Sequence, residues 1–172
     1  MNVYTGRQLW KTEFGDLGTL GVYYDKSYTN TPLSTAYNQK HIPGANGRGA
    51  NYVATEDAVY VVVGSACQML DAKTGKVVWE TKVDENKNNY YFTLAPLIAK
   101  GKVMVGTSGG EYGIRGYVAG LDAETGKVLW HFNTGGLITA GPSTYSVNGK
   151  QYVVIGSYAN YIAFALPDAP AR

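Results

Sequence analysis

A single cysteine, Cys67, is all the sequence holds, so no disulfide can close within the chain and the redox compartment cannot be read from its thiols. Set in "GSACQMLDA" among apolar neighbours, Cys67 reads as a buried strand side chain. Charge is sparse as well. Only 16% of residues are charged, and 15 basic against 13 acidic side chains leave a net +2. These charges form no cluster that would track a phosphate backbone or a membrane surface, so nucleic acid is excluded as an expected partner. No apolar run approaches the ~20 residues of a membrane-spanning helix. The opening "MNVYTGRQLW" has neither the basic start nor the apolar middle of a secretory signal, so these residues carry no expected export address. No window shows the 3.6-residue periodicity of an amphipathic helix.

What the sequence does have is a repeat. "YTGRQLW" (4–10), "LDAKTGKVVW" (70–79) and "LDAETGKVLW" (121–130) align, and all three tryptophans fall at the same place in the unit. Each copy reads as strand, tight turn, strand, with Gly75 and Gly126 suited to a positive φ in the turn. Upstream of the two full copies lie further strand pairs, "NYVA" with "AVYVVVGSA" and "APLIA" with "KVMVGTS". After Trp130 the pattern restarts with "STYSVNGKQYVVIGS" and "YIAFALP", where Asn148-Gly149 is a strong hairpin signal. The expected fold is therefore all-β and β-propeller-like, about three four-stranded blades in one domain over residues 1–172. A strand before Trp10 and a three-stranded C-terminal unit would together complete one blade. About three blades are few for a closed propeller, which leaves open a tight closure, the combination of two chains in a homo-oligomer, or a piece of something larger. Residues 15–50, rich in Gly, Asn, Thr, Tyr and Pro, fit no blade strand and read as a long loop.

One stretch interrupts the sheet pattern. "GTSGGEYGIRG" (106–116) places five glycines, Glu111 and Arg115 between two strand candidates. A phosphate-binding fingerprint is excluded, because a strand follows instead of a helix N-terminus. On its residues alone, Glu111 is a solvated loop carboxylate within reach of Arg115, four positions on, a pairing of small energetic weight. Asp71 and Asp122 recur in the turn units and read as structural. His41 and His131 lie far apart with no metal-ligand spacing.

The Ala-x-Asp-x-x-Thr-Gly-x-x-x-Trp character of the repeat resembles the tryptophan-docking motif of the quinoprotein dehydrogenases, propellers that bind pyrroloquinoline quinone (PQQ). "HIPGANGRGANYVATEDAVYVVVGSACQMLDAKTGK" and "APLIAKGKVMVGTSGGEYGIRGYVAGLDAETGKVLWHF" are similar to successive early blades of the PQQ-dependent alcohol and sugar dehydrogenases. "TYSVNGKQYVVIGS" with "IAFALPDAP" resembles their C-terminal end. The resemblance implies that Ser108, Gly109 and Gly110 contact the quinone and that Glu111 ligates a calcium ion, with Arg48 and Thr93 at the PQQ carboxylates. It further implies an alcohol or sugar substrate, a cytochrome or membrane quinone as electron acceptor, and a periplasmic site.

The departures from the family pattern are specific. The vicinal cysteine pair of many alcohol-oxidising members is replaced by Ile42-Pro43, as it is absent in sugar-oxidising relatives. After Trp130, "HFNTGGLITAG" runs straight into "PSTYSVNGKQYVV", where the family continues for several blades bearing its catalytic aspartate and a second arginine. The expected chain is thus a shortened or internally deleted member with no assignable catalytic base. The alternative expectation is a non-catalytic PQQ-like-repeat propeller scaffold that mediates protein interactions.

Overall fold

The structure, a computed structural model of the chain, describes residues 5–13, 52–63, 65–82, 92, 94–107, 115–138 and 140–165. The loop expected at 15–50 lies outside the described residues. Among the described residues, eleven strands form three antiparallel sheets and no helix occurs. The first sheet runs β1 (Tyr52–Ala54), β2 (Ala58–Val63), β3 (Ala66–Asp71) and β4 (Val77–Lys82) in sequence order. The second repeats that order with β5 (Leu97–Ala99), β6 (Lys102–Gly106), β7 (Tyr117–Asp122) and β8 (Val128–Asn133). The third holds β9 (Ser143–Val147), β10 (Lys150–Ser157) and β11 (Asn160–Ala165).

The turns carry the chemistry that the repeat implied. Asp71 closes the β3–β4 turn: its Oδ1 accepts from the Thr74 amide at 2.7 Å and the Thr74 hydroxyl at 2.7 Å. Asp122 does the same with Thr125, at 2.8 and 2.7 Å. Gly75 and Gly126 follow at φ 70° and 72°, in the left-handed region where a Cβ is costly. Both carboxyls are held below the usual aspartate value, first by the threonine hydroxyl and then by the threonine amide. Asn148 and Gly149 turn the β9–β10 hairpin with φ of 51° and 77°, the positive pair that a two-residue hairpin demands. Register shifts at Met69/Leu70 and at Gly120/Leu121 place a bulge at the same repeat position in both four-stranded sheets.

Packing follows from which faces are apolar. Side chains alternate along a strand, so β6 sends Val103 and Val105 toward the first sheet and Met104 toward the third. The first interface gathers Tyr60, Val62 and Cys67 against Val103, Val105 and Leu121, with Phe92 inserted. The second gathers Val118, Ile138 and Ile155, flanked by Trp130 and Phe164. The middle sheet is thus buried on both faces, and the three sheets lie in a row.

The tryptophans fasten one sheet to the next. Trp79 ends the first sheet, and its Nε1 donates to Ala123 O of the second at 3.1 Å, while Thr81 Oγ1 donates to Gly126 O at 2.7 Å. A Cβ on Gly126 would lie 2.7 Å from the Trp79 ring, so the indole requires glycine there. Trp10 docks on the first sheet in the same way, donating to Ala72 O at 2.9 Å, with Thr12 Oγ1 on Gly75 O at 2.8 Å. At the third step Phe132 stands where Thr12 and Thr81 stand, and the contact becomes aromatic. Phe164 lies 5.6 Å from Trp130 and 5.3 Å from Phe132. The strand expected before Trp10 differs from the reading: residues 5–13 form no strand. Their side chains dock on a turn, and no sheet edge adjoins their backbone among the described residues.

Candidate functional site

All six residues singled out in the sequence, Arg48, Thr93, Ser108, Gly109, Gly110 and Glu111, lie outside the described residues. The described residues nearest to them in the chain are Tyr52, Phe92, Leu94, Thr107 and Arg115, and these define the frame from which each segment springs. In the first sheet β2 and β3 are joined through Gly64-Ser65, whereas in the second the equivalent β6–β7 connection runs from Thr107 to Gly116. The repeat has acquired its long glycine-rich connection at one end of one sheet.

Thr107 forms the root of that connection. It is 1% exposed, and its amide donates to Tyr117 O at 3.0 Å. Its hydroxyl accepts from the Tyr117 amide at 2.9 Å and donates to Tyr117 O at 3.3 Å. The strands are therefore clamped just before the chain departs and just after it returns. Gly116, on the returning side, donates to Gly136 O at 2.9 Å, and its own carbonyl accepts from the Thr134 amide at 2.9 Å and the Thr134 hydroxyl at 2.8 Å. A Cβ at Gly116 would come within 2.5 Å of Gly136 O, so this close approach admits no other residue without a shift of backbone.

Phe92 brings a second segment to the same place. It is fully buried, and its ring meets Tyr117 edge-on at 6.3 Å and 84°. The residue before Thr93 therefore packs on the residue that pairs with Thr107. The chain that bears Arg48 leads into β1, whose first residue, Tyr52, pairs with Val61 near the β2–β3 connection. Trp79 and Tyr60 both donate to Ala123 O, at 3.1 and 3.3 Å. These bonds join corresponding turn ends of the two sheets, so the opposite ends, with Tyr52 on one and Thr107 on the other, also correspond.

The third sheet joins this end through residues 137–138. Ile138 bridges Ser157, and the Tyr158 amide donates to Leu137 O at 2.7 Å. Ser157 is 1% exposed, and its hydroxyl has no hydrogen-bond partner among the described residues.

Several of these residues escaped the sequence reading. Thr107, Phe92, Thr134 and Ser157 build the frame, yet none was singled out. A signal for two of them was present: Gly106-Thr107 and Gly156-Ser157 close β6 and β10 at matching places, as Gly64-Ser65 follows β2. Cys67 is fully buried, and burial pushes its thiol pKa up to about 12, which removes it as a nucleophile near neutral pH. His131 stacks edge-on to Tyr117 at 6.4 Å. No group of three or more His, Cys, Asp or Glu side chains placed to hold a metal occurs among the described residues.

Four-stranded antiparallel units, each stapled to the next by a tryptophan on an Asp-x-x-Thr-Gly turn, are blades of a β-propeller-type repeat. A family model, PQQ_2, described as outer membrane protein assembly factor BamB, matches residues 1–167. The chain belongs to this PQQ-repeat family. It is similar to the quinohemoprotein alcohol dehydrogenase ADH IIB of Pseudomonas putida, 46% identical over 79 residues, which are 45% of this chain and 11% of that protein. It is also similar to the lanthanide-dependent methanol dehydrogenase of Methylacidiphilum fumariolicum, 48% identical over 61 residues, 36% of this chain and 10% of the relative. The crystal structure of the quinohemoprotein alcohol dehydrogenase from Comamonas testosteroni matches with a TM-score of 0.53 at 28% identity, covering 61% of this chain and 21% of that one. The chain spans about a tenth of the length of the curated relatives it matches.

Proposed function

We propose that this chain supplies part of a PQQ-binding site of a dehydrogenase that oxidises an alcohol or sugar. The observation that carries the reading is the packing of Phe92 on Tyr117, together with the pairing of Tyr117 with Thr107. It supports a common origin for the segment bearing Thr93 and the loop bearing Ser108 to Glu111.

The donor set fits the cofactor and a hard cation. Glu111 offers the carboxylate oxygens that calcium prefers, and the similarity to a lanthanide-dependent enzyme agrees with a hard oxygen-ligated ion of either kind. Arg48 suits a carboxylate of PQQ through paired N–H donors. Gly109 and Gly110 spare the Cβ atoms that would collide with a flat ring. When bound, PQQ is the two-electron acceptor for a hydride from the substrate carbon, and the cation draws electron density from its carbonyl. The residues of this chain hold and orient: Glu111 the cation, Arg48 and Thr93 the carboxylates, Ser108 the quinone edge. Thr107 and Gly116 fix the roots of the loop. No general base is assigned to this chain. The relatives are alcohol dehydrogenases by name, and with them the reading brings a cytochrome or membrane quinone as acceptor and a periplasmic site.

The test is a spectral titration with PQQ and Ca²⁺, followed by alcohol- or sugar-dependent dye reduction. The expected result is a perturbed PQQ spectrum with the wild type, weakened in Arg48→Ala and Glu111→Gln. An unperturbed spectrum with the wild type would overturn the reading. A second reading, a non-catalytic scaffold that mediates protein interactions, is favoured by the description of the matching family as an assembly factor. It predicts partner capture with no PQQ binding.

A further inference from the structure

Residues 5–13 and the third sheet each carry what the other lacks among the described residues. The segment "TGRQLWKTE" is the repeat's fourth strand by sequence, aligned with "TGKVVWETK" and "TGKVLWHFN", which form β4 and β8. Its side chains already behave as such a strand, with Trp10 on Ala72 O and Thr12 on Gly75 O. Its backbone nevertheless adjoins no strand among the described residues. Conversely, β3 and β7 each pair with a fourth strand, while their counterpart β11 pairs only with β10 among the described residues. The sequence of β11, "NYIAFA", contains no charged residue and no proline. Exposed edges normally carry one or the other to prevent strand addition. Tyr161 on it is 87% exposed.

The two halves sit at opposite ends of the row of sheets, the segment against the first sheet and β11 in the third. With Trp10 on Ala72 and Thr12 on Gly75, they do not meet within this chain among the described residues. We propose that residues 7–13 of one copy add to the β11 edge of a second copy, completing its third sheet and continuing the tryptophan staple from copy to copy. The repeat fixes the register. Val103 pairs with Leu121 and Val153 with Phe164, which makes Ala163 the counterpart of Gly120 and Met69, the partners of Trp130 and Trp79. Trp10 then stands opposite Ala163 of the second copy, Lys11 opposite Ile162 and Thr12 opposite Tyr161. The interface is heterologous: each copy offers its segment at one end and its edge at the other, so the assembly grows head to tail until the rotation closes. This inference is independent of cofactor binding.

The test mixes two singly substituted full-length chains, Lys11→Cys and Ile162→Cys, under mild oxidation. Cys67 is fully buried and stays silent. The expected result is a disulfide-linked species of twice 18.5 kDa, absent when Ala165→Cys replaces Ile162→Cys. Sedimentation of the wild type should show mass rising above 18.5 kDa with concentration, and Ala163→Lys should return it to the monomer. A wild type that stays at 18.5 kDa with no mixed cross-link overturns the proposal. So does a cross-link that forms within one chain of the doubly substituted protein at high dilution, which would mean closure in cis.

Discussion

Asp71 and Asp122 show how much of this molecule depends on single side chains repeated in place. Each carboxylate is held in its charged form by a threonine hydroxyl and backbone amides, and each pKa is lowered accordingly. A carboxyl that releases its proton more easily folded than unfolded contributes stability above the unfolded value of 3.8, and that contribution is lost as pH falls through the lower folded value. The melting temperature should therefore fall on acidification below about pH 4, and Asp122→Asn should flatten that acid limb while lowering the neutral value. Gly116→Ala tests the root of the glycine-rich connection. Its Cβ would meet Gly136 O at 2.5 Å, a backbone atom that cannot swing aside, so chemical denaturation should show a loss of about 1–3 kcal/mol. The turn aspartates were legible in the sequence because the repeat displays their partners at fixed offsets. Thr134 was not, since its partner Gly116 is non-local and a lone threonine carries no periodic signal, and for Thr107 the matching Gly-Thr and Gly-Ser positions mark the place but not its bonds to Tyr117.

At the scale of elements, the tryptophan staple makes separate sheets into one body. Trp79 combines ring burial over Gly126 with a hydrogen bond to Ala123 O. Trp79→Ala should cost about 3 kcal/mol, the low end for a tryptophan truncation because the ring is only half-buried. Trp79→Phe keeps most of the area and loses the N–H donor, which should cost about 1 kcal/mol. Trp10→Ala should behave differently. It anchors a segment whose backbone pairs with no strand of its own chain among the described residues, so at monomer concentrations the melting temperature should change little while residues 5–13 become open to proteolysis. Strand order and hairpins could be read in advance, because period-two apolar runs bounded by Thr-Gly and Asn-Gly define them. The unpaired state of residues 5–13 could not, since a strand needs a neighbour and the sequence does not say where that neighbour lies. The exchange of the Thr-to-carbonyl bond for a Phe132–Phe164 contact was equally invisible, because it depends on which side chain the next sheet presents.

For the whole molecule, three sheets in a row bury both faces of the middle one and leave the outer two with work still to do. The site proposed for PQQ grows from the strand ends opposite the Thr-Gly turns, where Tyr52, Phe92, Thr107 and Gly116 mark the chain positions from which the candidate segments extend. The residue types were readable as a motif, since "TSGGE" and Arg48 stand out through family resemblance. That the chain just before Thr93 lies against the root of the 107–116 connection became visible only through Phe92, whose contact with Tyr117 no spacing rule announces. The measurement that bears most directly on this account is the PQQ dissociation constant of the wild type and of Glu111→Gln, each with and without Ca²⁺. The account predicts that Ca²⁺ tightens binding to the wild type at least tenfold, about 1.4 kcal/mol, and has no such effect on Glu111→Gln. Equal affinity in all four conditions, or no binding in any, would contradict it.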